Sequence, residues 1–282
     1  MRLTSGLTLL SVASLGAGTP AARAATATPE PGLARDLAEA STRTVWFAHQ
    51  SVGANVIEGL AGLAARTGAP LHLVEGPPDV AGAPGRWAHA YVGENGAPRS
   101  KLDAFVRSLD EARRAPDVAL LKLCYVDFHE GTDPVALLEA YRTALAGLRS
   151  RHPRTTFVHV TVPLTAPDRW PRALTKRLLG REGSAARNAR RERYNALLRD
   201  AYAGREPLFD LAALESRCPD GLPATEPWRG REVPALCPAY TADGGHLNAV
   251  GRERAARALL AIVAAVPAPT LPAPTEARGW TR

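Results

Sequence analysis

Two short polar clusters stand at opposite ends of the chain. The first, His49, Gln50, Ser51, Val52, Gly53, Ala54 and Asn55, follows the apolar run Val45 to Ala48 and precedes a helical pattern. A serine placed where a strand hands over to a helix lies near the helix N-terminus, whose free N–H groups favour a developing negative charge. The same position suits a helix cap, so Ser51 reads either as a nucleophile or as a capping residue. The second cluster, Asp243, Gly244, Gly245 and His246, precedes the last helical pattern. Across a tight glycine-rich turn its carboxylate can reach one imidazole nitrogen and leave the other free. A hydroxyl is scarcely ionised at neutral pH, so a serine nucleophile needs an oriented base of this kind. By itself Asp243 reads first as a turn cap beside a solvated histidine; the combination with Ser51 is what points to chemistry.

The elements that would carry these clusters follow from pattern and composition. The 282 residues hold 35 Lys and Arg against 28 Asp and Glu, with 45% apolar and 22% charged, which excludes a disordered chain, collagen and a multispan membrane protein. Short apolar runs at Val45 to Ala48, Leu71 to Val74, Val118 to Leu123, Thr156 to Val162 and Leu208 to Leu211 predict buried strands. Helical patterns lie between and after them at Ala54 to Arg66, Lys101 to Arg113, Pro134 to Ser150, Ala185 to Ala203 and Val250 to Ala265, with Asp133 placed to cap Pro134. The alternation implies an α/β fold, a three-layer α/β/α flavodoxin-like sandwich with a mostly parallel five-stranded sheet. Ligands in such folds bind beyond the carboxyl ends of the strands, where both clusters fall.

The ends of the chain read differently. Residues 1–24 carry the basic start, apolar stretch and Ala22-Arg23-Ala24 cleavage pattern of a signal peptide, which predicts export. Residues 25–41 read as a flexible N-terminal segment, 42–266 as the folded unit, and 267–282 as a Pro-rich disordered tail. No later segment reaches the ~20 apolar residues of a spanning helix. In an exported chain Cys218 and Cys237 predict a disulfide across a Pro and Gly-rich loop, and Cys124 reads as a buried, inert thiol. The basic run Arg187, Arg190, Arg191 and Arg193 is interrupted by Glu192 in a helical pattern, so it reads as a solvated helix face rather than a nucleic-acid stripe. His49, His89 and His129 lack metal-ligand spacing, and neither a metal nor a cofactor is assigned.

With these residues in place the chain resembles the SGNH hydrolase superfamily, the GDSL-like esterases and lipases, over roughly Thr44 to Ala264. Ser51 matches the nucleophile, His246 the base and Asp243 the orienting acid, with softer marks at Val160 to Pro163 and at Phe209 to Leu211. The resemblance also implies an oxyanion hole built from the N–H groups of Ser51 and Gly96, to which Asn95 could add its side chain. Two departures mark a divergent member. The Gly-Asp before the serine is replaced by His49 and Gln50, and the Gly-x-Asn-Asp after the third apolar run reads Cys124, Tyr125, Val126 and Asp127, with Val126 at the asparagine. One missing oxyanion donor costs about 10² to 10³ in rate, so Gln50, Asn95, Tyr125 or His49 must substitute or the enzyme is slow. Asp127 would instead join a structural pair with Lys122 or His129.

The resemblance implies hydrolysis of an oxygen ester, an acetyl ester of a carbohydrate being one substrate class. His49, Gln50, Tyr125 and Trp228 are the candidate substrate contacts, though His49 reads equally as bonding a loop carbonyl and Trp228 as a hydrophobic plug under the 212–241 loop. The rival to hydrolysis is a non-catalytic carbohydrate- or envelope-binding module on the same fold, motivated by the absent asparagine. A phosphate-binding turn at Ser51 lacks any Gly-rich fingerprint.

Overall fold

The computed structural model describes residues 31–171, 178–180 and 182–267; the predicted signal peptide, residues 25–30 and residues 268–282 of the tail lie outside them. Among the described residues six strands form one sheet: β1 (Val45–His49), β2 (His72–Glu75), β3 (Arg86–Tyr91), β4 (Val118–Leu121), β5 (Thr156–Val160) and β6 (Leu208–Phe209). Their order is β2-β3-β1-β4-β5-β6, and every neighbouring pair is parallel. The sheet therefore has six strands where five are expected. The additional strand, β3, reads Arg-Trp-Ala-His-Ala-Tyr, which has no branched apolar run to announce it, yet it sits between β1 and β2 with Trp87 and Ala88 buried.

Side chains alternate across the pleat, and the two faces of the sheet collect two separate cores. Val45, Phe47, Leu120 and Val158 point to the face covered by α1 (Pro31–Ala40), α2 (Val52–Thr67) and α7 (Ala249–Ala264). Trp46, Ala48, Leu121 and Phe157 point to the opposite face, covered by α3 (Pro98–Asp110), α4 (Pro134–Arg151) and α5 (Ser184–Tyr202). This is a three-layer α/β/α sandwich. The carboxylate of Asp133 accepts the N–H groups of Val135 and Ala136 at 2.9 and 3.2 Å, so Pro134 opens α4 with a satisfied first turn.

Two expected loops are ordered. Residues 31–40, read as part of a flexible segment, form α1, whose Leu33, Leu37 and Ala40 bury into the α2 and α7 core. Those three apolar residues recur at helical spacing, and the surrounding Ala, Thr and Pro composition conceals them. The stretch after the short helix α6 (Leu211–Glu215) is closed by the Cys218–Cys237 disulfide and contains an antiparallel hairpin, β7 (Thr225–Trp228) with β8 (Arg231–Pro234).

The chain leaves β1, fills the β2 and β3 side of the sheet, then crosses to β4 on β1's other edge. The loops after β1, β3 and β4 therefore meet at one topological switch point, where an open parallel sheet leaves a crevice.

Candidate active site

Ser51 stands between β1 and α2 with φ 48° and ψ −105°, a left-handed conformation rare for a residue with a side chain. Backbone held this way costs of order 1–3 kcal/mol and persists only where neighbours over-determine it. Gly53 is one such neighbour: a Cβ there would lie 2.3 Å from the Cβ of His49, so only glycine lets α2 begin this close to the end of β1. Ser51 makes no side-chain capping bond. Its Oγ lies 2.6 Å from Nε2 of His246 instead.

The other ring nitrogen of His246, Nδ1, lies 2.6 Å from Oδ2 of Asp243. The Asp243 oxygen Oδ1 accepts the N–H groups of Gly245 and His246, both at 2.8 Å, and the Thr241 hydroxyl at 3.3 Å. Desolvation works against ionisation of Asp243, but the His246 N–H, its imidazole and the Gly245 N–H together hold the carboxyl well below its ordinary range. The loop is pinned at both ends. Ala166 donates its N–H to the Gly244 carbonyl at 2.9 Å, and Leu247 donates its N–H to Oδ1 of the buried Asn55 at 3.0 Å.

Tyr125 completes this corner. Its ring meets His246 edge-on at 6.0 Å, and its hydroxyl lies where a Cβ on Gly245 would come within 3.0 Å. Burial raises the phenol pKa above its ordinary value, with the neighbouring Ser51 hydroxyl acting in the opposite sense.

The predicted oxyanion donors are only partly available. The Ser51 N–H has no acceptor among the described residues. Gly96, expected to offer its N–H to an oxyanion, gives it to Oδ1 of Asp127 at 2.9 Å. The cause is a buried ion pair: Lys101 Nζ lies 2.5 and 2.7 Å from the two Asp127 oxygens, both side chains are fully buried, and the carboxylate gathers the Gly96 and Cys124 N–H groups as well. Asp127 is thus paired with Lys101, not with Lys122 or His129; Lys122 donates to the Leu123 carbonyl and His129 Nε2 lies 3.2 Å from the Gly96 carbonyl oxygen. The exposed Asn95 places Oδ1 3.1 Å from Lys101 Nζ, which leaves its amide N–H groups without an acceptor among the described residues.

Three predicted substrate contacts lie elsewhere. His49 is 0% exposed and its Nε2 faces Nδ1 of His89 at 3.2 Å. Burial first, then the charges of Lys122 and His89, push its pKa down to about 3, so it is a neutral core imidazole that cannot touch a ligand. Gln50 spends its amide N–H groups on the Val92 and Gly93 carbonyls at 3.1 and 3.0 Å, tying the loop after β3 to the residue before Ser51. Trp228 lies in the β7–β8 hairpin under the Arg229 guanidinium at 4.9 Å, because Glu226 two residues earlier anchors that hairpin to Ser184 and Asn188 of α5.

A cleft of about 770 Å³ is lined by Tyr125, His129, the Asp243 to Gly245 loop and by Arg187 and Arg191 of α5; Ser51 and His246 are not in its lining but adjoin it through Tyr125 and Gly245. Arg191, expected on a solvated helix face, is only 1% exposed. The interruption of the basic run by Glu192 concealed that Ser184, Arg187 and Arg191 share one helical face. Trp228 is not among the residues lining this cleft. Among the described residues no group of three His, Cys, Asp or Glu side chains could hold a metal ion, and no helix is long and apolar enough to cross a membrane.

The chain matches no protein-family model and no curated protein. Among solved structures it is similar to a GDSL-like lipase from Bacteroides thetaiotaomicron, with 14% identity over 80% of this chain and 90% of that one, at a TM-score of 0.47. It is similar to a catalytic mutant of an acetylxylan esterase from Geobacillus stearothermophilus, with 11% identity over 79% and 94% and a TM-score of 0.42. It is also similar to the C-terminal domain of the Drosophila Oskar protein, with 10% identity over 64% and 73% and a TM-score of 0.37. Likeness this distant leaves the chemistry to be argued from the site's own atoms.

Proposed function

We propose that this chain is a serine hydrolase of oxygen esters and a divergent SGNH hydrolase, with Ser51 as nucleophile, His246 as base and Asp243 as the acid that orients it. The observation that carries the reading is the continuous hydrogen-bonded line from Ser51 Oγ through both nitrogens of His246 to Asp243, 2.6 Å at each bond, with Ser51 held in a strained strand-to-helix turn. Asp243 receives Nδ1–H and so fixes the tautomer in which Nε2 accepts the serine proton. Ser51 Oγ then bonds to the acyl carbon, and the proton passes from Nε2 to the leaving alcohol as the ester C–O bond breaks. Water deprotonated by the same imidazole attacks the acyl-enzyme, Oγ regains its proton, and the carboxylic acid leaves.

The tetrahedral oxyanion rests on the Ser51 N–H, with the Tyr125 hydroxyl and the Asn95 amide as the side-chain donors nearest the role of the absent asparagine. The hydroxyl, carboxylate and guanidinium groups of Thr165, Asp168, Ser184 and Arg187 in the cleft support an acetyl ester of a carbohydrate as the substrate, and the Cys218–Cys237 disulfide supports export to an oxidising compartment. The binding-module reading is supported by one observation, the engagement of the Gly96 N–H by Asp127.

Hydrolysis of 4-nitrophenyl acetate by the purified protein separates the two. The hydrolase reading expects turnover that falls by at least about 10³ in both Ser51→Ala and His246→Ala, with unfolding midpoints unchanged. Turnover indifferent to Ser51, or none in the wild type, overturns it in favour of the binding module.

A further inference from the structure

The arginines of α5 divide into two sets. Arg190 closes a salt bridge to Glu182 at 2.7 Å, and Arg199 closes bridges to Asp210 and Glu192 at 2.7 and 2.8 Å. Arg187 and Arg191, one turn apart on the cleft face, pair with no carboxylate among the described residues. Arg191 donates Nε to the Tyr125 carbonyl at 3.0 Å and Nη1 to Thr165 Oγ1 and Asn188 Oδ1 at 2.8 and 2.5 Å, all neutral acceptors, and its Nη2 has none among the described residues. Arg187 donates Nε and Nη2 to the Gly183 and Glu182 carbonyls at 3.4 and 3.1 Å, and its Nη1 has no acceptor among the described residues.

A guanidinium removed from water without a counter-charge is costly, and buried charges are ordinarily paired. Burial, and then the like charge of Arg187, lower the Arg191 pKa to about 10, so Arg191 remains cationic at neutral pH. The carboxylates of the same cleft are engaged elsewhere: Asp168 accepts the Ser184 N–H at 2.9 Å, and Asp243 holds His246. Glu215 and Glu226 act on Arg191 electrostatically, but among the described residues no carboxylate forms a salt bridge to Arg187 or Arg191, so a direct carboxylate partner is left to what enters the cleft.

Resting on the hydrolase reading above, we propose that the cleft receives the alcohol half of the substrate and that this alcohol is an acidic sugar whose carboxylate pairs with Arg187 and Arg191. The alcohol is placed there by the chemistry. It leaves from the carbon attacked by Ser51 and takes its proton from His246, and the cleft is walled by the loop that carries His246. A singly charged carboxylate fits better than a doubly charged phosphate, because Asp168 and Asp243 line the same cleft and oppose further negative charge. Guanidinium groups suit the role, since they present flat, fixed donors to a planar carboxylate.

The test compares acetate release from a monoacetylated methyl glucuronoside and from the equally acetylated methyl glucoside, by wild type, Arg187→Gln and Arg187→Lys. The expected ratio of kcat/KM, acidic over neutral, is about tenfold or more in the wild type, near one in Arg187→Gln and intermediate in Arg187→Lys. A wild-type ratio near one, or a ratio untouched by Arg187→Gln, overturns the proposal. Calorimetric binding of the unacetylated methyl glucuronoside and glucoside to the same proteins keeps this result separate from that of the hydrolase reading. If neither ester is cleaved, the hydrolase reading fails alone. Selective binding of the glucuronoside that is lost in Arg187→Gln still supports the subsite, and equal or absent binding of both glycosides overturns it.

Discussion

The side-chain oxygen of Asn55 accepts the backbone N–H of Leu247 at 3.0 Å, and this one buried bond joins the first turn of the helix opened by Ser51 to the residue after His246. The serine and the histidine thus keep their spacing through a neighbour of each. On the proposed hydrolase reading Asn55 acts as a positioning residue, and Asn55→Ala is expected to lower kcat for 4-nitrophenyl acetate about 10- to 100-fold with KM little changed, since a small misplacement costs rate rather than ground-state binding. Steady-state kinetics beside a thermal unfolding curve check this. A proportional rise in KM with kcat unchanged would contradict it.

Tyr125 is expected to carry more of the oxyanion than Asn95. Its hydroxyl lies in the corner formed by Ser51, His246 and Gly245, whereas the Asn95 amide is tied to Lys101 through its oxygen. Removing one donor costs about 10² in kcat or more, so Tyr125→Phe should fall by that factor and Asn95→Ala by less. The reverse order would transfer the role to Asn95.

The Lys101–Asp127 pair underlies the loop that holds Gly96, and neither side chain meets solvent. Lys101→Met leaves a buried carboxylate without its cation and is expected to cost about 3–5 kcal/mol in urea unfolding. The double variant Lys101→Met with Asp127→Leu removes both charges and should lose less than the single one. If the double variant loses as much as Lys101→Met and Asp127→Leu added together, the pair is not coupled as its geometry implies.

Glu215 is fully buried on α6, where its Oε2 accepts the Leu164 N–H at 2.7 Å. Burial pushes its pKa from 4.5 up to about 8, outweighing the Leu164 N–H and the cations Lys122 and Arg191. Between those two values the unfolded chain has released the proton that the folded chain still holds, so this group makes stability fall as pH rises from 4.5 to 8. Each pH unit within the window costs up to about 1.4 kcal/mol. Urea unfolding at pH 5 and pH 8 should show a decline in the wild type that is much reduced in Glu215→Gln; equal slopes would place the proton elsewhere.

The Cys218–Cys237 disulfide spans 19 positions around the β7–β8 hairpin. Closing a loop of that length stabilises by about 3 kcal/mol, so reduction should lower the unfolding midpoint by roughly 5 to 10 °C. Calorimetry with and without reductant reads it directly.

Local pattern was enough to determine the alternation of strands and helices, the cap at Asp133, the proximity of Asp243 to His246 and the pairing of Cys218 with Cys237, because each depends on residues near in sequence or on one residue type. β3 escaped notice since its burial comes from the strands on either side of it and not from its own Arg-Trp-Ala-His-Ala-Tyr sequence. The helix Pro31–Ala40 was hidden for a related reason: its three apolar residues matter only when α2 and α7 are there to receive them.

At the site the same division holds. Residue type and position named Ser51 and His246, but only the tertiary structure brought Oγ and Nε2 to 2.6 Å and turned the serine away from capping its helix. It also withdrew His49 into the core, engaged the Gly96 N–H with Asp127, and moved Arg191 from an expected solvated face to the wall of a cleft. Whether a donor is free and whether a charge is paired depend on atoms contributed by distant segments, and no reading of spacing along one segment contains them.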